Sequence, residues 1–199
     1  MRGRSALLVS ECQRGIMEPG MGGFPALIGQ VTDRGIVPRI ARLAAHFRAL
    51  GLPVIHLTIA HRQDFADVLP NSLLGTLARK HRMLVAGTPE ADIIAELTPA
   101  AKDFVVERSS GLIGFLGTSL DAMLRRMRID SVVITGVSTN VAVTGCAMVG
   151  ADLGYHVVVA EDCIAASDPA IHDVIVNEQL RMIARISTAA DVEAALKTT

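Results

Sequence analysis

Six short runs of apolar, largely β-branched residues recur along this chain of 199 residues. They read ALLVSE (6–11), PVIHLTIA (53–60), DFVVE (103–107), SVVITG (131–136), HVVVAED (156–162) and ARIST (184–188). Several are almost continuously apolar, as strands are when both faces of a sheet are covered, and such strands pair in parallel. Between them VPRIARLAAHFRALG (37–51), SLDAMLRRMRI (119–129), NVAVTGCAMVGADLG (140–154) and PAIHDVIVNEQLRMI (169–183) carry apolar residues at helical spacing. Gly51 and Gly154 stand where a left-handed helix cap is wanted, and AADVEAALK (189–197) supplies a closing helix. The alternation predicts an α/β chain with one domain over 1–199. It would be a three-layer α/β/α sandwich around a six-stranded parallel sheet with right-handed crossovers.

Two stretches fall outside that alternation and are expected to be irregular. RGIMEPGMGGFPALIGQVTDRG (14–35) is glycine-rich and follows the first strand, and HRQDFADVLPNSLLGTLARKHR (61–82) follows the second. Loops of this length inside a compact domain usually serve function.

Composition narrows the function classes. The formal net charge is −1, which gives no reason to expect nucleic acid or an anionic membrane as partner. With no Trp, one Tyr and five Phe the core must be aliphatic, and base-stacking platforms are not expected. Cys12, Cys146 and Cys163 form no CxxC pair and no zinc spacing, and read as buried thiols in a reducing compartment. The apolar run behind Arg2 and Arg4 is too short for a signal segment, so a cytoplasmic location is expected.

In parallel sheets ligands bind outside the carboxyl ends of the strands, near the point where strand order reverses. Glu11 ends the first strand, with Cys12 and Gln13 behind it, and Arg108 ends the third. Each has a plainer alternative, a solvated strand end for Glu11 and a surface ion pair for Arg108. After the fourth strand, GVSTN places Ser138, Thr139 and Asn140 at a helix N-terminus, where backbone N–H groups can face a ligand. The same residue types also cap helices. The first inward-facing helical residue is Ala142, whose methyl group can do no chemistry. GFLGTSLDAML (114–124) lacks the lysine and spacing of a phosphate loop. His56 and His61 have no adjacent Asp, so neither a metal nor a cofactor is expected.

In this order the motifs resemble those of the isochorismatase-like, or cysteine hydrolase, superfamily, which includes nicotinamidases, N-carbamoylsarcosine amidases and isochorismatases. ALLVSECQRG is similar to the opening strand, and VPRIARLAAHFRALGLPVIHLT to the first helix and second strand. AGTPEADIIAELTPAAKDFVVER resembles the approach to the third strand. FLGTSLDAMLRRMRIDSVVITGVSTNVAVTGCAMVGADLGYHVVVAEDCIAA matches most strongly. The resemblance implies a Rossmann-type fold with strand order 3-2-1-4-5-6. It also implies a catalytic Asp, Lys and Cys, at whose positions this chain has Glu11, Arg108 and Ala142. The spacing from Arg108 to Phe115 is one residue longer than usual for the family. Of the family's Asp-x-His metal motif only His61 remains. A cis peptide before Ser138, aiming the N–H groups of Ser138 and Ala142 into the pocket, is implied as well. Val137, Ser138, Thr139, Asn140, Phe115 and His61 are the implied substrate-binding positions.

An alanine cannot form the thioester of this family's amidases. The isochorismatase branch needs only an acid to protonate a vinyl ether, and Glu11 is a candidate. Arg108 beside it is expected to lower its pKa and keep it ionised. Cys146 lies one helical turn past Ala142, between Gly145 and Gly150, and reads as a packing residue; Cys12 alternates away from Glu11. Two readings follow. One is a Cys-independent hydrolase of a small, anionic metabolite held by Arg108 and the helix N-terminus. The other is a non-catalytic small-molecule-binding or assembly protein on the same scaffold. A homo-oligomer, dimer or tetramer, is expected under either.

Overall fold

The strands are β1 (Arg4–Ser10), β2 (Val54–Ile59), β3 (Phe104–Arg108), β4 (Ile129–Val137), β5 (His156–Ala165) and β6 (Arg185–Ser187). In the computed structural model, which describes residues 1–196, they form one sheet in the order β3-β2-β1-β4-β5-β6. Every pairing is parallel. The expected class, topology and order are therefore those of the molecule.

Period-two alternation splits each central strand between two cores. Leu7 and Val9 of β1 meet Ile40, Leu43 and Phe47 of α3 (Ile36–Ala49) on one face. Ala6 and Leu8 face the other way, toward Leu120 and Leu124 of α5 (Leu120–Arg126) and Ala147 of α6 (Thr144–Asp152). Phe47, Leu7, Leu8 and Ile40 are fully buried. Each such side chain contributes roughly 1.5–3 kcal/mol. The first core also takes in α9 (Ala189–Ala195) through Ala189 and Val192. Lys197, at the end of the expected closing helix, lies outside the described residues. Among the described residues no helix is long and apolar enough to cross a membrane.

Both stretches expected to be irregular contain helices. Within 14–35 lie α1 (Arg14–Met17) and α2 (Pro25–Asp33), and within 61–82 lies α4 (Leu73–His81). The glycines at 20, 22 and 23 stop short of Pro25, which opens α2 at a position where its missing N–H is harmless. Leu27, Ile28 and Val31 then bury one helical face. In α4 the Ser72 hydroxyl caps the helix, accepting from Gly75 N–H at 3.1 Å. These helices escaped the sequence reading because their apolar stripes are short and find partners only in the folded chain. The segment 169–183 is helical throughout, with a wider turn at Ile175–Leu180 between α7 (Pro169–Val174) and α8 (Arg181–Ile183).

At the carboxyl end of the sheet centre, Ser10 of β1 pairs with Gly136 of β4. Gly136 has φ +96°, and a Cβ there would overlap the carbonyl oxygen of Ser10. Glycine is required on both counts. Gly136→Ala is expected to destabilise the fold by about 3 kcal/mol or more, as backbone conflict in a core does, measured as a lowered urea midpoint at unchanged slope.

Candidate active site

β1 delivers Glu11 by ending just before it. Glu11 takes a left-handed conformation, φ 51°, and its N–H donates to Leu57 O at 2.8 Å. Gln13 locks the exit: its side chain is buried, accepts from Ile59 N–H at 2.9 Å and donates to Ile59 O at 2.8 Å and Ala91 O at 2.7 Å. Cys12 turns into the first core, as alternation requires. Arg108, the last residue of β3, reaches across β2 and places Nη2 on Oε1 of Glu11. Its Nε also donates weakly to Gly111 O at 3.4 Å. No second guanidinium–carboxylate contact closes the pair into a fork, and Glu11 Oε2 makes no hydrogen bond among the described residues.

The pair lines a cavity of about 530 Å³, which also takes in His61, Asp67 and Ser138. Burial pushes the Glu11 carboxyl above its ordinary 4.5, and the guanidinium of Arg108 only partly offsets this. The expectation that Arg108 would depress Glu11 is thus corrected: at this depth desolvation outweighs the ion pair.

His61 Nδ1 lies 2.6 Å from the carbonyl oxygen of Ser109. A carbonyl only accepts, so Nδ1 carries the proton and Nε2 is left as an acceptor. Burial also lowers the His61 pKa, favouring this neutral form. Ser109 Oγ in turn donates to Asp67 Oδ2 at 2.5 Å, tying Asp67 to the same wall. Asp67 and Ser109 were not singled out from the sequence; they lie in connecting segments where only the fold gives them neighbours.

The peptide between Val137 and Ser138 is cis, as the resemblance implied. Ser138 and Val141 line the cavity, and the Ser138 N–H makes no hydrogen bond among the described residues. The other expected binding positions lie elsewhere. Val137 packs in the first core and Phe115 in the second, its ring centroid 6.0 Å from that of Tyr155. Asn140 is exposed. Ala142 is buried beneath its neighbours rather than lining the cavity, since a methyl group ends below the surface set by longer side chains.

Thr139 is also buried, with Oγ1 3.0 Å from His172 Nδ1. His172 Nε2 is 3.0 Å from Glu161 Oε1, which also receives Arg34 at 2.5 Å. None of these three residues lines the cavity, and their contacts tie the turn that follows β4 to β5. Cys146 is fully buried, and burial pushes its thiol up to about 11. Burial raises the Cys12 and Cys163 thiols as well. Among the described residues no three His, Cys, Asp or Glu side chains converge as a metal would require.

A parallel three-layer sandwich with a cavity at the carboxyl edge of its sheet is an α/β fold in which that edge is the usual ligand site. A sequence model of the isochorismatase domain matches residues 5–191, and the chain belongs to the isochorismatase family. It is 30% identical over 200 aligned residues to the isochorismatase family protein YecD of Escherichia coli O157:H7, covering 96% of each. It is 31% identical over 190 residues to the ureidoacrylate amidohydrolase RutB of Methylorubrum extorquens, covering 88% of this chain and 76% of that one. The crystal structure of an isochorismatase family protein from Desulfovibrio vulgaris superposes with a TM-score of 0.86 at 30% identity, over 97% of this chain and 98% of that one. Hydrolases, amidohydrolases among them, make up this family.

The Thr139–His172–Glu161 chain has a measurable consequence. Hydrogen bonding from His172, then the contact with Arg34, holds the Glu161 carboxyl at about 2, below its ordinary 4.5. A depressed carboxyl stabilises the fold fully above its unfolded value and loses that contribution as pH falls through the folded one. Glu161→Gln is expected to be less stable than the parent at neutral pH. Between pH 4.5 and 2 its urea midpoint should fall less than the parent's does.

Proposed function

We propose that this chain hydrolyses a small molecule with water as the nucleophile and Glu11 as the proton-transfer group. The observation that carries the reading is the one-sided contact at Glu11. Arg108 holds Oε1, and Oε2 stays unengaged at a cavity also lined by Ser138, whose N–H makes no hydrogen bond among the described residues. With alanine at position 142 and all three thiols buried, no covalent acyl intermediate is expected. For an amide, Glu11 would take a proton from the attacking water as the C–O bond forms. It would return that proton to nitrogen as the C–N bond breaks. The Ser138 N–H would meet the developing oxyanion. For a vinyl ether, the same carboxyl would supply the first proton, and the raised pKa suits both roles.

The ureidoacrylate amidohydrolase supports amide and ureido compounds as the first to test. A panel of simple amides, ureido acids, carbamoyl amino acids and isochorismate, with and without Glu11→Gln, examines the proposal. Turnover of at least one compound is expected. Glu11→Gln should lower its rate by about 10²–10⁴-fold, the usual contribution of general acid–base catalysis. Native-state treatment with iodoacetamide should leave the parent's rate unchanged. A second reading, ligand binding without turnover, rests on the same contact, which already engages both charged groups. Binding of panel compounds with no hydrolysis would favour it and overturn the first.

A further inference from the structure

The sequence offered Arg108 as a receptor for an anion, and the geometry argues against that role. The guanidinium already contacts the Glu11 carboxyl and the Gly111 carbonyl. Asp67 brings a further carboxyl group to the same cavity, while His61 is held neutral with Nε2 as an unengaged acceptor. An incoming carboxylate would meet a cation already matched, and acceptors that repel it. An uncharged head with N–H donors meets His61 Nε2 and Glu11 Oε2 favourably.

The remaining walls are mostly apolar, with Asn71, Ser72 and Ser110 among them, and come largely from the two segments whose helices the sequence concealed. Phe24 and Leu27 of the α2 segment stand on one side, and Val68, Leu74 and Ala78, before and within α4, on another. The ionisable groups of the 530 Å³ cavity are thus Glu11, His61, Asp67 and Arg108, and most of the remaining lining is hydrocarbon. Phe24, Leu69 and Leu112 continue that surface outward and are exposed to solvent.

We propose that the cavity binds a ligand with an uncharged, N–H-bearing head and an extended apolar chain, the head at His61 and Glu11 and the chain between α2 and α4. This rests on the cavity being the ligand site, as the proposed function also does. It goes further in assigning an amphiphile rather than a compact anion.

Calorimetry with straight-chain primary amides from acetamide to decanamide, and with hexanoate beside hexanamide, tests this without any hydrolysis. Affinity is expected to rise about three- to fourfold per methylene until the cavity is filled, from the transfer of hydrocarbon out of water. Hexanamide should bind more tightly than hexanoate. Leu74→Asp should flatten the dependence on chain length. His61→Phe, which keeps a ring against Phe65, should weaken every amide by a similar factor and leave the slope intact. Affinity independent of chain length, no binding by any amide, or tighter binding of hexanoate would each overturn the proposal. Because the readout is binding, a panel without turnover would leave this result standing. Equally, turnover confined to short, charged compounds would uphold the hydrolase and sink the amphiphile.

Discussion

A parallel sheet buried on both faces has only its two edges of loops left for chemistry. Here that burial is nearly complete at the sheet centre: β2 and all of β1 except Arg4 are covered. Helices must therefore lie on both sides, and every strand must be followed by a crossover. The polar groups that catalysis or recognition needs are pushed to the carboxyl ends, where Glu11, Arg108 and Ser138 converge from three strand termini. The site's location is a consequence of how the core is packed.

What gathers at that edge is governed by desolvation. Glu11 and Arg108 are largely removed from water, with side-chain exposures of 16% and 5%. A buried ion pair is a weak stabiliser, because stripping water from both partners offsets most of their attraction. Its effect is to set protonation and direction: one carboxyl oxygen is tied and the other is left toward the cavity, with its proton affinity raised. His61 follows the same logic, since a single carbonyl contact fixes its tautomer while burial keeps it uncharged. The cavity is therefore less positive than a lone arginine in the sequence suggests.

The turn after β4 shows a division of labour that residue types alone do not reveal. Ser138, Thr139 and Asn140 are alike in chemistry and adjacent in sequence, yet they face three environments. Ser138 lines the cavity, Thr139 bonds to buried His172, and Asn140 is in solvent. The chain from Thr139 through His172 to Glu161 and Arg34 ties this turn to β5 and the loop after α2. Read along the sequence, all three were offered alike, as capping residues or as ligand-binding ones at a helix N-terminus.

By itself the sequence determined the sheet and its parallel pairing, because apolar periodicity and strand ends are local properties. It also determined that no thiol stands at position 142, and the family's ordered motifs led to strand order and to the cis bond before Ser138. Tertiary structure alone decided which side chains share the cavity. Phe115 and Val137 belong to the cores, while Asp67 and the apolar walls of α2 and α4 come from segments whose length pointed to function without revealing which residues face the cavity. It alone decided the sign of the Glu11 shift as well. Contacts between distant segments, and the loss of water they bring, are set by three-dimensional packing, and no spacing along the chain encodes how far a charge will be desolvated.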